Sequence, residues 1–140
     1  MIKERHCSFK VSKLLQEKGF DEPCRSVYVD CGDYVDSYNT LEELTDLQIG
    51  VWEALRPTHQ MAMDWLREKH GIFVQLNRDN QYHEGHKVTP MTKHDIERGH
   101  RPEYYARVLD AKSESNTTEH FDDFYDCVEA ALEYCLTKLI

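Results

Sequence analysis

Four histidines carry the most suggestive chemistry in this chain. His83 and His86 are three residues apart, and His94 and His100 follow in the same polar stretch. Neutral imidazole is a common ligand for zinc and other transition metals, so a small metal-binding module or metal-dependent enzyme could be built from them. On a strand, however, positions 83 and 86 point to opposite faces and converge only through a turn at Gly85. No cysteine pair and no HExxH helix completes the set. Scattered surface histidines are the plainer reading, and the sequence assigns no metal ligand, no cofactor and no catalytic residue.

The other reactive groups point the same way. Cys7, Cys24, Cys31, Cys127 and Cys135 form no CxxC pair. An odd number of cysteines with no secretory leader predicts reduced thiols in a cytoplasmic protein. Cys127 and Cys135 fall within a helical pattern and are expected as small core residues. Cys24 or Cys31 could act as a nucleophile with a distant histidine, but nothing local is expected to lower the thiol pKa. Asp30 and Asp33 would raise that of Cys31. The carboxylate pairs Glu42–Glu43 and Asp122–Asp123 belong at helix caps and exposed faces rather than in acid–base catalysis. The six glycines are isolated, so there is no phosphate-binding loop. Tyr104 and Tyr105 read as strand residues, one ring in and one out, rather than as a platform for bases.

Charge gives a firmer lead. The 140 residues carry a net charge of −9, concentrated in two blocks. Residues 30–53 hold seven acids and no Lys or Arg, and residues 108–140 hold eight acids against two lysines. Such blocks solvate exposed faces, and they also suit a basic protein partner. Direct nucleic-acid binding is disfavoured, with the basic, histidine-rich stretch 77–107 as its one opening. No run approaches the ~18 apolar residues of a membrane span.

The elements that must position these groups centre on Arg56–Leu76. Pro57 and Thr58 start a helix, Thr58 as its N-cap. Met61, Ala62, Trp65 and Leu66 supply the apolar stripe, with the Lys69 stem laid along it. Gly71 stops the helix in the left-handed conformation. Ile72, Val74 and Leu76 then alternate with Phe73 and Gln75 as a half-buried strand. Before this unit, Ser8 caps a helix that ends at Gly19, with Phe20 folding back on its last turn. Ser26–Val29 reads as a short strand, and Asp30–Asn39 as a turn-prone polar stretch. Thr40 and Glu43 have capping-box spacing and open a second helix. Residues 49–55 alternate like a strand at Val51, Glu53 and Leu55 but could also continue the helix, and a short extended piece is the preferred reading.

After the central unit, Gln81–Thr89 is a weak strand and Pro90–Pro102 a polar insertion with one helical turn over His94–Arg98. Tyr104–Leu109 is a strand and Asp110–His120 a polar loop. A last helix is capped by Thr118 or Asp122, with Phe124, Val128, Ala131, Leu132, Cys135, Leu136 and Leu139 on its apolar face. Asp122, Asp123 and Asp126 complement its positive end. The expectation is an α+β fold of order α-β-α-β-β-β-α over one domain, 1–140. In it, residues 1–55 pack on an α-β-β-β-α unit at 56–140, whose three-stranded antiparallel meander carries its helices on one face. The other face of the meander offers a surface for a homo-oligomer. The order resembles that of double-stranded RNA-binding domains. Aspartates stand where those domains place phosphate-binding basic residues, which argues against RNA.

Three stretches together also resemble a known group: SFKVSKLLQEKGFDEPC at 8–24, LRPTHQMAMDWLREKHGIFV at 55–74 and FDDFYDCVEAALEYCLTKLI at 121–140. They are similar to small proteins encoded by phages, prophages and mobile elements of gut bacteria, a family without an assigned activity. The resemblance implies an intracellular phage or prophage accessory role and carries over no functional residue. A non-enzymatic protein acting by protein–protein contact follows as the leading expectation. In its sharper form, the acidic faces mimic nucleic acid on a basic site.

Overall fold

A short antiparallel pairing brings the starts of two helices together. His6 bridges Thr58. The Cys7 amide donates to the Pro57 carbonyl at 2.9 Å and the His59 amide to the Arg5 carbonyl at 3.0 Å. The structure, a computed structural model, describes residues 4–30, 32–36, 53–79, 81–84, 87–90, 92–93, 97, 103–112 and 114–140, with 81–84 and 87–90 described by backbone alone. The expected second helix at Thr40, residues 49–52, Cys31, the Glu42–Glu43 pair, His86, His94 and His100 lie outside them.

Helix α1 spans Phe9–Glu17. Its cap is Ser8, whose Oγ accepts from the Val11 amide at 3.2 Å. At the other end Gly19 takes φ 91°, and the Phe20 amide reaches back to the Leu15 carbonyl at 2.9 Å. This is the expected fold-back closure, and it buries Phe20. Strands β1 (Ser26–Asp30), β2 (Asp33–Asp36) and β3 (Ala54–Leu55) form an antiparallel sheet in the order β2-β1-β3. The polar stretch after Asp30 is therefore not all turn. Gly32, at φ 116°, lets the chain double back, and Tyr34 and Val35 provide enough alternation for β2. The Arg56 guanidinium stacks 3.6 Å from the Tyr34 ring centre and bonds Asp36 at 3.2 Å, holding that strand down.

Helix α2 (His59–His70) has the predicted cap, Thr58, and the predicted stop, Gly71, at φ 65°. Trp65 is 5% exposed. Phe20 and His70 pack edge-on against its ring, at 5.5 and 4.7 Å. They cover that flank, and Lys69 stays in solvent rather than along the stripe. Strand β4 (Phe73–Asp79) follows. As expected, Ile72 is buried, Val74 and Leu76 are half-buried, and Phe73 and Gln75 face solvent.

The second sheet keeps the expected three antiparallel strands but recruits them differently. Strands β5 (Gln81–Glu84) and β6 (Lys87–Pro90) form a separate hairpin. The sheet runs β4, β7 (Glu103–Leu109), β8 (Ser115–Thr117), with Phe73 opposite Leu109. Tyr82, Gly85 and Val88 offer no alternating apolar face, which explains why 81–90 does not enter this sheet. Backbone bonds and Thr118 recruit 115–117 despite its polarity. The Thr118 amide donates to the Ala106 carbonyl, and its Oγ1 accepts from the Ala106 amide, both at 2.9 Å. In the polar insertion, Lys93 and Glu97 are helical.

Helix α3 covers Phe124–Tyr134 and continues through Cys135–Leu139 in a wider π-helical turn. Asp123 is its cap, instead of Thr118 or Asp122, and accepts from the Tyr125 and Asp126 amides at 2.8 and 3.1 Å. Thr118 is already committed to β7. Phe124 is 37% exposed in the first turn, with Tyr104 and Tyr125 edge-on against its ring. Helix α3 packs on β7, α2 on β4 and α3, and α1 on β3 and α3. Val11, Leu15, Trp65, Leu66, Val108, Val128 and Leu132 share one core, which draws on both the 1–55 portion and the rest. Cys127 and Cys135 lie in it, fully buried, as expected.

Candidate functional site

The paired stretches ahead of α1 and α2 place Cys7 beside His59, and the middle of α3 adds Glu129. Offering one donor atom each, the three lie within 4.8 Å of one another. Cys7 is fully buried, the His59 side chain is 9% exposed and that of Glu129 is 25% exposed. His59 Nε2 is 2.7 Å from Glu129 Oε1. The Ser8 amide donates to the same oxygen at 2.9 Å. Ser8 therefore serves twice, its hydroxyl capping α1 and its amide holding Glu129. The Tyr125 ring leans on His59 at 6.0 Å and carries the Arg5 guanidinium 4.3 Å above it. The Tyr28 hydroxyl donates to the Cys7 carbonyl at 2.5 Å.

Burial and hydrogen bonding compete at this centre. Burial alone would raise the Glu129 carboxyl pKa. The bonds from His59 and Ser8 outweigh it and leave that pKa below the ordinary 4.5. Burial also pushes the Cys7 thiol far up, and the neighbouring Glu129 charge adds to the effect. A neutral, fully buried thiol is a poor nucleophile, so the set does not work as a cysteine–histidine catalytic pair. It is a set of metal-ligand donor types. Among the described residues, buried His59 Nδ1 has no hydrogen-bond partner.

Sequence reasoning missed all three residues. The one local signal was adjacency to predicted caps: Cys7 precedes Ser8 and His59 follows Thr58. That the two caps meet depends on the pairing of 5–7 with 57–59, which no periodicity reveals. Of the candidates the sequence did raise, Cys24 is buried, and burial pushes its thiol up to about 12. His83 sits in β5, opposite Val88.

A second feature lies where α3 crosses the sheet. A slot of about 320 Å³ opens between α3 and β8. Val108, Phe121, Ala130 and Tyr134 line its apolar side, and the 116–119 stretch forms its wall. Strand β8 is at the sheet edge. The Asp110 amide donates to the Glu114 carbonyl and the Thr118 amide to the Ala106 carbonyl, so by alternation the Ser115 and Thr117 amides point away from β7, unpaired among the described residues. The surroundings are acidic, with Glu119, Asp122, Asp123 and Asp126 all exposed. Among the described residues, Asp122 and Asp126 form no ion pair, while Glu133 pairs with Lys10. Among the described residues no helix is long and apolar enough to cross a membrane. Comparison with protein families, curated proteins and solved structures gives no match.

Proposed function

We propose that the protein acts by binding another protein, without catalysis of its own, in an intracellular accessory role of phage or prophage type. The partner presents an extended, basic segment. That segment adds as a strand along the open edge of β8, inserts an apolar side chain into the slot against α3, and lays its cations among the unpaired aspartates. The slot carries this reading, because it combines free main-chain donors, an apolar pocket and surrounding negative charge. In such contacts the main-chain bonds supply affinity and the pocket supplies selectivity. The sharper form is mimicry, in which the aspartates stand in for phosphates on a nucleic-acid-binding protein. Nucleic acid itself is repelled by the same charges.

The test is capture from lysate of the producing cell on immobilised protein, eluted along a salt gradient and read by mass spectrometry. A specific partner with a basic segment, released at moderate salt, is the expected result. Binding that ignores salt would remove the mimicry form, and no partner at any salt would overturn the contact reading.

A further inference from the structure

The contact reading makes no use of the polar centre, which stands on its own observations. We propose that Cys7, His59 and Glu129 hold one divalent ion of the zinc class. The donor set is a thiolate, an imidazole and a carboxylate. Thiol and imidazole ligands favour zinc or cobalt over the oxygen-seeking magnesium and calcium. The three donor atoms lie within 4.8 Å of one another. In a tetrahedral zinc site, bonds of ~2.0–2.3 Å put neighbouring ligand atoms about 3.3–3.8 Å apart, so closing this set takes side-chain shifts of about 1 Å.

The second observation is the orphaned nitrogen. A buried ring nitrogen without a partner is uncommon and calls for one, and His59 Nδ1 is such an atom. Ligation at Nδ1 satisfies it. Ligation at Nε2 instead shifts the proton shared with Glu129 onto Nδ1, so in either case the neutral imidazole itself releases no proton. Both bonds to Glu129 fall on Oε1, which leaves Oε2 to turn toward the ion. Arg56, a cation that acts on Cys7, is engaged by Asp36 and stacked on Tyr34. A dication beside Cys7 reverses the effect of burial on the thiol. The sulfur gives up its proton to solvent and forms the metal–sulfur bond, releasing one proton per ion. Glu129, the most exposed of the three, is the side from which the ion enters. Once bound, the ion ties the starts of α1 and α2 to the middle of α3.

Cobalt(II) titration of the full-length, chelator-stripped protein tests this. The expected result is one ion per chain with thiolate-to-cobalt charge-transfer absorption, displaced by zinc, and a melting temperature that rises with ion concentration. Cys7→Ser removes the absorption, Cys24→Ser keeps it, and Glu129→Gln weakens binding roughly 10–100-fold. Circular dichroism verifies the fold of each variant. His59→Gln, with the same expected loss of affinity, takes the place of Cys7→Ser if that variant unfolds. No charge-transfer absorption in the folded wild type, or absorption that survives Cys7→Ser, would overturn the assignment.

Discussion

Replacing Glu129 by glutamine removes one negative charge from the polar centre and almost none of its volume. The carboxylate accepts two bonds, from His59 at 2.7 Å and from Ser8 at 2.9 Å. Hydrogen bonds to an ionised group contribute ~1.5–3 kcal/mol each and neutral ones ~0.5–1.5, so the metal-free variant loses about 1–3 kcal/mol. In a chain of this size that lowers Tm by about 3–10 °C. The pH dependence is sharper than the magnitude. The folded-state pKa of Glu129 lies below the ordinary 4.5. Its stabilisation is therefore complete above the unfolded-state value and is lost as pH falls through the folded-state one. Urea unfolding, followed by the fluorescence of buried Trp65 in the presence of chelator, reads both proteins as pH is lowered. The gap between them should be full at neutral pH and close in acid below the folded-state pKa. A gap that does not change with pH, or a variant as stable as wild type at neutral pH, would refute the reasoning.

Four further outcomes follow from the packing. Trp65→Ala removes the side chain between Phe20 and His70 and should lose ~3–5 kcal/mol in urea unfolding followed by circular dichroism. Gly71→Ala places a Cβ at φ 65° and 3.4 Å from the Ala111 side chain, at about 1–2 kcal/mol measured by thermal melting. Asp123→Ala loses both cap bonds of α3, about 1 kcal/mol, while Asp122→Ala leaves the cap intact; denaturant midpoints distinguish them. Cys7, Cys24, Cys127 and Cys135 are buried, with thiol pKa values raised by burial. They should stay unmodified by a thiol reagent at mildly alkaline pH until the chain unfolds, as mapped by peptide mass spectrometry.

Where one short stretch of chain decides its own structure, the sequence is legible. Ser8, Thr58, Gly19 and Gly71 each act within a single turn, and α1 and α2 begin and end where those residues say. Ile72–Leu76 is equally local. Pairing between strands is different. Residues 115–117 enter a sheet on the strength of Thr118 and the backbone, although all three side chains are exposed. The stretch 81–90 pairs with itself, because its side chains give it no face to bury. The cap of α3 is Asp123, one residue past Asp122, and Thr118 is unavailable because its hydroxyl is bonded to Ala106. The polar centre was hidden for a related reason. Its members stand 52 and 70 positions apart in the sequence, from Cys7 to His59 and from His59 to Glu129. They meet only because two cap segments pair and α3 crosses beneath them. His83, His86, His94 and His100 are conspicuous for being close in sequence, a signal that Cys7, His59 and Glu129 lack.

The central claim is that the edge of β8, its slot and the unpaired aspartates form one binding surface. A side-by-side capture with three proteins tests it: wild type, Thr117→Pro, and a variant with Asp122 and Asp126 both changed to Asn. Proline at 117 removes an outward-facing amide and leaves the bonds to β7 in place, so the fold should persist. The account predicts that the partner retained by wild type is lost from Thr117→Pro, and that it elutes at lower salt from the Asn variant. Equal retention on all three proteins, each verified as folded, would contradict it.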